Sequence, residues 1–556
     1  MTGVQTCALP ILKKYLIALS LVGLVSTSCY EKLNIAPPNS ITNEQVMELL
    51  RTGNDETVTS IMGALAEALP AQIKGGGYVT FNQPYYAYNY QSQGTIREVS
   101  GNDVVLGRTT PGGDIGNLYS CTNLTNPAGD DLLGYWKRGY ALVHAANKVF
   151  NILTEEMVDN SPSKALKSYA GWGYITRAYG YLWLMENFAY PYDPSNASQL
   201  GVPIYTVYSD AQPLKARAPQ TEVYDSIFKW LDKGIAYMKE GAVDQGNNFT
   251  QNGEGKINLG FAYFIQARAA LCAHKWDVAV SACDELIKNY PNLMTEDQYV
   301  AQNKNDDTGY PFVYYASNSG FTCLNANPEN IFGYTNSNKA YGSQNSLFNV
   351  MLGSYQMRID NRLYDLIDAN DYRRANFQDF DGMEYGAPSS TGFTEGNQLT
   401  LSSYLNVKFA ANVGVGMAIG NTTVSDPSII DYSMFRVAEA YLMKAEALAQ
   451  QGQDGPAKEV LNLLLAKRAK AGALLTCDNY SSMAGMTALE MVQLQTRIEM
   501  WGERGLEWYN NRRWNIPVNR SGSLDHHNPG LTYPVSGMTL PLPDQETQTN
   551  PLIVQN

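Results

Sequence analysis

Two stretches of this chain repeat one pattern: an apolar run punctuated by alanines, a short polar turn, and a second run of the same kind. They are FAYFIQARAALCAHKWDVAVSACDELIKNYP (261–291) and FRVAEAYLMKAEALAQQGQDGPAKEVLNLLLAKRA (435–469). Ala267, Ala270 and Ala279 in the first, and Ala445, Ala447 and Ala457 in the second, carry almost no side chain, so two antiparallel helices can approach closely across the turn. One such pair cannot cover its own apolar faces. The chain is therefore constrained to stack pairs against one another.

Helical periodicity recurs in blocks at 131–153, 164–188, 220–239, 257–289, 430–450, 454–470 and 487–513, with 131–153 and 164–188 forming the first pair. Between them lie long Gly/Asn/Tyr-rich segments at 70–125, 290–345 and 375–425. The expected fold is mostly α: a tetratricopeptide-like scaffold of helix pairs carrying long irregular loops, with little β structure. Loops of that length on a compact scaffold are usually functional.

The N-terminus is read in three parts. Residues 1–11, MTGVQTCALPI, back-translate into a sequencing-library adapter and are set aside from the fold, Cys7 included. Lys13 and Lys14 followed by YLIALSLVGLV form a secretory signal with an apolar core too short to span a bilayer comfortably. It closes at Ser26-Thr27-Ser28-Cys29, small residues before a cysteine that resemble the lipobox of bacterial lipoproteins, with Ser26 in place of the usual Leu. Residues 1–28 are thus artefact plus signal peptide, Cys29 is the expected lipidated residue, 29–43 is a polar tether containing Pro37-Pro38, and 44–556 is one domain with a helical scaffold and a loop-built binding lobe. No later apolar stretch has spanning length, so the expected membrane contact is lipid alone.

A net charge of −13 argues against nucleic acid as a partner, because that affinity comes from clustered Lys and Arg. Cys121, Cys272, Cys283, Cys323 and Cys477 show no Cys-x-x-Cys spacing and signal neither a tight disulfide framework nor a zinc site. His144, His274, His526 and His527 lack a convincing ligand set or nucleophile partner, and no phosphate loop, Gly-x-Ser-x-Gly or His-Glu-x-x-His appears. No metal and no cofactor is expected. Glu499, Glu503 and Glu507, four apart, present carboxylates on one helical face, which is the chemistry of glycoside hydrolysis. Two arguments favour a structural role: Arg497, Arg504, Arg512 and Arg513 are close enough in sequence to pair with them and lower their pKa, and residues four apart point the same way instead of facing across a cleft. Asp371, Arg373 and Arg374 read as scaffold too. The chain is not expected to be an enzyme.

Tyrosine is unusually abundant, 38 against 16 Phe and 8 Trp. In GGGYVTFNQPYYAYNYQSQ, Tyr78, Phe81, Tyr85, Tyr86, Tyr88 and Tyr90 alternate with amide and glycine residues, and flat rings beside amides suit sugars, whose C–H faces stack while hydroxyls take hydrogen bonds. The alternating YYAYNY also fits a strand with one buried face. Tyr310, Phe312, Tyr314, Tyr315 and Phe321 form a second cluster. Tyr85, Tyr86, Tyr88, Tyr90, Tyr314 and Tyr315 are the ligand-binding candidates.

The stretch RIEMWGERGLEWYNNRRW (497–514) is similar to the C-terminal signature of the SusD/RagB family of outer-membrane nutrient-binding lipoproteins, with Gly at 502 and 505 and with Tyr509-Asn510 where Asp-Leu is common. Five more segments agree in order: 135–150, 174–204, 217–231, 431–452 and the ending LPLPDQETQTNPLIVQN. The resemblance covers nearly the whole mature chain. It implies a lipid-anchored protein on the exterior face of a Bacteroidetes outer membrane, with aromatic residues from loops forming a shallow ligand platform. It further implies capture of an oligosaccharide, or of peptide as in the RagB branch, and delivery to a TonB-dependent SusC-like transporter.

Overall fold

The structure, a computed structural model, describes residues 43–74, 97–106, 113–209, 213–241, 249, 255–300, 302–303, 314–315, 320–321, 324–334, 357–378, 384–389, 392–400, 403–409 and 431–556. Its helices of eight residues or more are α1 (Asn43–Thr52), α2 (Asp55–Lys74), α3 (Asp130–Phe150), α4 (Lys164–Phe188), α5 (Gln220–Glu240), α6 (Leu259–Cys272), α7 (Trp276–Asn289), α8 (Val437–Gln450), α9 (Asp454–Arg468), α10 (Ala488–Glu499) and α11 (Leu506–Arg513). Each of α3 to α6 packs on its successor, α7 packs on α8, and α8 packs on both α9 and α10, giving the stack of antiparallel pairs that the alanine pattern requires.

The centre of the first half is α4, whose residues are buried on every side except for Lys164, Lys167 and Glu186. Glycines set how closely its neighbours come. A methyl at Gly180 would lie 2.9 Å from the Gly139 carbonyl oxygen of α3, and one at Gly171 would lie 2.9 Å from the Gly234 carbonyl oxygen of α5. Ser163 starts α4 by accepting from the Leu166 N–H, and Thr487 starts α10 in a capping box with Glu490. In the second half, rings join helices to strands: Phe264 stacks on Phe435 at 4.2 Å, and Phe261 meets Phe332 at 4.5 Å.

The β structure is scattered. Strands β1 (Val104–Val105), β5 (Arg358–Ile359), β9 (Leu405–Asn406) and β6 (Phe377–Gln378) make a four-stranded sheet in that spatial order. Two-stranded pairs are formed by β2 (Gln302–Asn303) with β3 (Tyr314–Tyr315), β4 (Asn330–Tyr334) with β10 (Tyr432–Arg436), β7 (Glu384–Ser389) with β8 (Gly392–Thr400), and β11 (Val518–Asn519) with β12 (Thr532–Tyr533). All are antiparallel.

Two periodic blocks are corrected. The block at 430–450 begins as strand β10, because Tyr432–Arg436 finds β4 as a partner with Tyr432 opposite Tyr334, and helix α8 starts only at Val437. The block at 487–513 is two helices: Gly502, Arg504 and Gly505 all take positive φ (75°, 61° and 75°), a left-handed backbone that interrupts the helical path between Glu499 and Leu506. Glu499, Glu503 and Glu507 therefore do not share one helical face.

Candidate functional site

The turn between α10 and α11 inserts its carboxylates into the centre of the molecule. Glu499, Glu503 and Glu507 are 0%, 8% and 7% exposed. Around Glu499 stand three guanidinium groups from distant parts of the chain: Arg436 donates at 2.6 Å, Arg468 at 2.9 and 3.0 Å, and Arg373 at 2.9 Å. Arg436 and Arg468 also donate to Glu329, and Arg373 is chelated by Asp371. Glu503 accepts from Arg436 at 2.8 Å and from the Lys408 ammonium at 2.6 Å. Four cations (Lys408, Arg373, Arg436, Arg468) thus balance four anions (Glu329, Asp371, Glu499, Glu503) with dense hydrogen bonding, the condition under which charges tolerate burial.

Burial alone would raise the Glu499 carboxyl, but Arg468, Arg436 and Arg373 hold it well below the usual carboxylate range. Glu503 is lowered in the same way by Arg436 and Lys408 against its own burial, and burial brings Lys408 down to about 8. Glu507 differs. Burial and the neighbouring Asp103 push it up to about 8, while its oxygens accept the backbone N–H groups of Asn102 (2.6 Å) and Asp103 (3.0 Å). A raised carboxyl suits a general acid, yet this one is enclosed and tied to backbone, and among the described residues no second carboxylate faces it across open space. A structural role for these acids agrees with the arrangement, though not through the expected partners: Arg497 pairs with Asp103, Arg504 with Glu439 and Arg513 with Glu446, and Arg512 donates to the carbonyls of Glu186 and Ala189. The pairings made by Glu329, Glu499 and Glu503 span 31 to 139 residues of sequence, which local spacing does not reveal. A visible signal was the arginine at 436, inside an otherwise apolar run.

The four histidines make contacts within the fold. His526 Nε2 lies 2.9 Å from the Asn102 carbonyl and so carries the proton, leaving Nδ1 to accept from the Tyr119 hydroxyl at 2.5 Å. Burial and Arg520 push its pKa down to about 2. His527 Nε2 meets the Leu106 carbonyl at 2.7 Å, His144 lies against Tyr208, and His274 stacks on Trp276. Among the described residues no His/Cys/Asp/Glu group could hold a metal ion, and no helix is long and apolar enough to cross a membrane. Cys121, Cys272, Cys283 and Cys477 are buried free thiols, and Cys29 and Cys323 lie outside the described residues.

Of the aromatic candidates, Tyr85, Tyr86, Tyr88 and Tyr90 lie outside the described residues. Tyr314 and Tyr315 form β3, opposite Asn303 and Gln302. Phe321, read with them as part of a binding cluster, belongs to the core: it is 3% exposed, its ring meets Tyr299 edge-on at 4.8 Å, and the Lys408 ammonium lies 4.6 Å from its centre. The structure fixes where the first aromatic segment begins. Tyr334, the last residue of β4, donates its hydroxyl to the Pro70 carbonyl of α2 at 2.8 Å, and the Lys74 ammonium at the end of α2 stands 5.3 Å from the same ring. The described residues that precede these two segments, Lys74 and Tyr334, therefore stand beside one another. At the far end, Arg97 is held between Tyr135 (4.4 Å) and Trp508 (5.3 Å).

A stack of helix pairs around a buried, charge-balanced centre defines a helical scaffold protein. The family described as the SusD family matches residues 285–556, and one described as "Starch-binding associating with outer membrane" matches residues 96–250. The chain belongs to the SusD/RagB family. Its fold is that of solved relatives: a SusD-like carbohydrate binding protein from Bacteroides vulgatus (20% identity, TM-score 0.63, 88% of this chain and 97% of that one), a SusD superfamily protein from Bacteroides thetaiotaomicron (17%, 0.61, 93% and 100%) and a putative sugar binding protein from Bacteroides vulgatus (20%, 0.61, 89% and 98%). No curated protein sequence matches the chain significantly.

Proposed function

We propose that this chain is a glycan-binding lipoprotein of the outer membrane that faces the cell exterior, captures an oligosaccharide on the loops issuing from its scaffold, and delivers it uncleaved to a TonB-dependent SusC-like transporter. Tyr85, Tyr86, Tyr88 and Tyr90, with Tyr314 and Tyr315, are the proposed contact residues, and Cys29 the lipid attachment point. The carrying observation is the junction of Tyr334 with Pro70 and Lys74, which brings together the described residues that precede the tyrosine-rich stretch and a second long stretch of the sequence. Membership of a family described as starch-binding and associated with the outer membrane supports both the ligand class and the location. The enclosure of Glu499, Glu503 and Glu507 supports binding without hydrolysis. Capture of a peptide, as in the RagB branch, is the alternative ligand for the same shuttle.

The test is calorimetry with a panel of oligosaccharides, followed by chromatography of the mixtures. One or more members should bind and emerge intact, and alanine at Tyr86 and Tyr88 should weaken binding by about 1–3 kcal/mol in total at about 0.5–1.5 kcal/mol per stacked ring. Cleavage that disappears in Glu503→Gln or Glu507→Gln, or binding only of peptides, would overturn it.

A further inference from the structure

A half-open cleft lies among the end of α4, the chain just after it, α5, α6 and α11. Glu186, Tyr190, Tyr192, Tyr224, Cys272 and Arg513 line it, and its free volume is about 20 Å³, room for one water-sized group. A row of rings leads into it: Trp276 stacks on His274 at 4.9 Å, His274 meets Tyr192 at 5.6 Å, and Tyr192 meets Tyr224 at 5.5 Å. At the mouth, Tyr190 is 38% exposed, an uncommon degree for a tyrosine ring in this scaffold.

The lining carries polar groups, not all of them fully used. The Tyr224 side chain is 5% exposed, and burial pushes its hydroxyl pKa up, so it stays a protonated donor. The Arg513 Nε–H is buried without an acceptor. An orphaned N–H of this kind costs free energy unless something fills the gap. The charges beside them are already matched: Glu186 accepts from Arg268 at 2.8 Å, and Arg513 pairs with Glu446 at 2.9 Å. An ionic occupant would bring an unmatched charge into this lining, whereas a hydroxyl can accept from Tyr224 and donate to Glu186.

We propose that this cleft is a further carbohydrate-contact site, in which one hydroxyl or hydroxymethyl group of a neutral saccharide enters the polar floor while its pyranose ring lies against Tyr190 and Tyr192. The ligand class rests on the carbohydrate reading above; the described lining residues are other than the proposed contact tyrosines. It gives the protein a second, weaker contact on a long glycan whose main grip is elsewhere.

The test uses the full chain labelled with fluorotryptophan, the Trp276 fluorine signal being assigned by Trp276→Phe. Methyl glycosides of glucose, galactose and mannose are titrated while that signal is followed, and oligosaccharide binding is measured by calorimetry in parallel. At least one glycoside should shift the Trp276 signal saturably, Tyr224→Phe should weaken that response about threefold to tenfold for one lost hydrogen bond, and the Tyr86→Ala/Tyr88→Ala chain should respond as the parent does. A signal that none of the three moves, or that moves equally in Tyr224→Phe, overturns the cleft. If calorimetry still registers oligosaccharide in that case, the main reading survives; if nothing binds by either method, both fall.

Discussion

Replacing Glu499 by Gln keeps the volume and removes one negative charge from the point where Arg373, Arg436 and Arg468 converge. The four-against-four network becomes one positive charge in excess, with three guanidinium groups competing for a neutral amide at full burial. Breaking a buried ionic array on one side costs about 3–5 kcal/mol, much of it the cost of leaving the opposite charge unmatched. Unfolding entropies of about 2.1 cal/mol/K per residue give about 1.2 kcal/mol/K for 556 residues, so the thermal midpoint should fall by about 3–4 °C if the chain melts as one unit, and by more if the second half melts alone. Calorimetric melting of Glu499→Gln, Arg468→Met and the double variant checks this. The double variant should be less damaged than the sum of the singles, with a coupling of about 1–3 kcal/mol. A fall of under about 1 °C, or additivity within about 0.5 kcal/mol, would refute the idea that this network holds the α10–α11 turn in place.

Three further outcomes follow from single sites. The Glu507 carboxyl at about 8 lies above its value in the unfolded chain, so the stability it gives is full below about pH 4.5 and is lost as pH rises toward 8; denaturant titrations across that window should show a shallower decline in Glu507→Gln. His526 at about 2 has the opposite sign, present above about pH 6.5 and lost on acidification, worth about 2 kcal/mol by pH 5, and His526→Gln should flatten the acid limb of the same curves. Gly180→Ala places a methyl 2.9 Å from the Gly139 carbonyl oxygen and 3.0 Å from both Leu142 and Val143, so thermal melting should report a loss of about 1–3 kcal/mol as α3 and α4 are forced apart.

The helix pairs were legible in the sequence because periodicity and small residues act locally: Lys164–Phe188 and Gln220–Glu240 fall within a residue of their periodic blocks. What was not legible depends on contacts far apart in sequence. The run through 487–513 is helical in pattern, and only the left-handed turn at Gly502, Arg504 and Gly505 divides it; the two glycines were the readable warning. Tyr432–Arg436 reads as helix until β4, a hundred residues earlier, supplies its partner. The carboxylates of the signature were recognisable as structural, but their true partners Arg373, Arg436, Arg468 and Lys408 are assembled only by the fold. Phe321 shows the limit of aromatic counting, since the same ring chemistry that suits a sugar also suits a core packed beside Lys408. The cleft at Tyr224 gave no sequence signal, its lining being drawn from positions between 185 and 513.

The central claim, capture followed by delivery, is tested most directly at the membrane. Cells carrying the chain are extracted in mild detergent, the chain is purified by an affinity tag, and uptake of the bound oligosaccharide is followed with and without the co-purifying partner. The account predicts that a large outer-membrane β-barrel comes down with the wild-type chain, that Cys29→Ala moves the chain out of the membrane fraction, and that deleting the barrel gene abolishes uptake while leaving binding by the purified chain intact. A chain that purifies alone, with uptake unchanged when the barrel is removed, would contradict it.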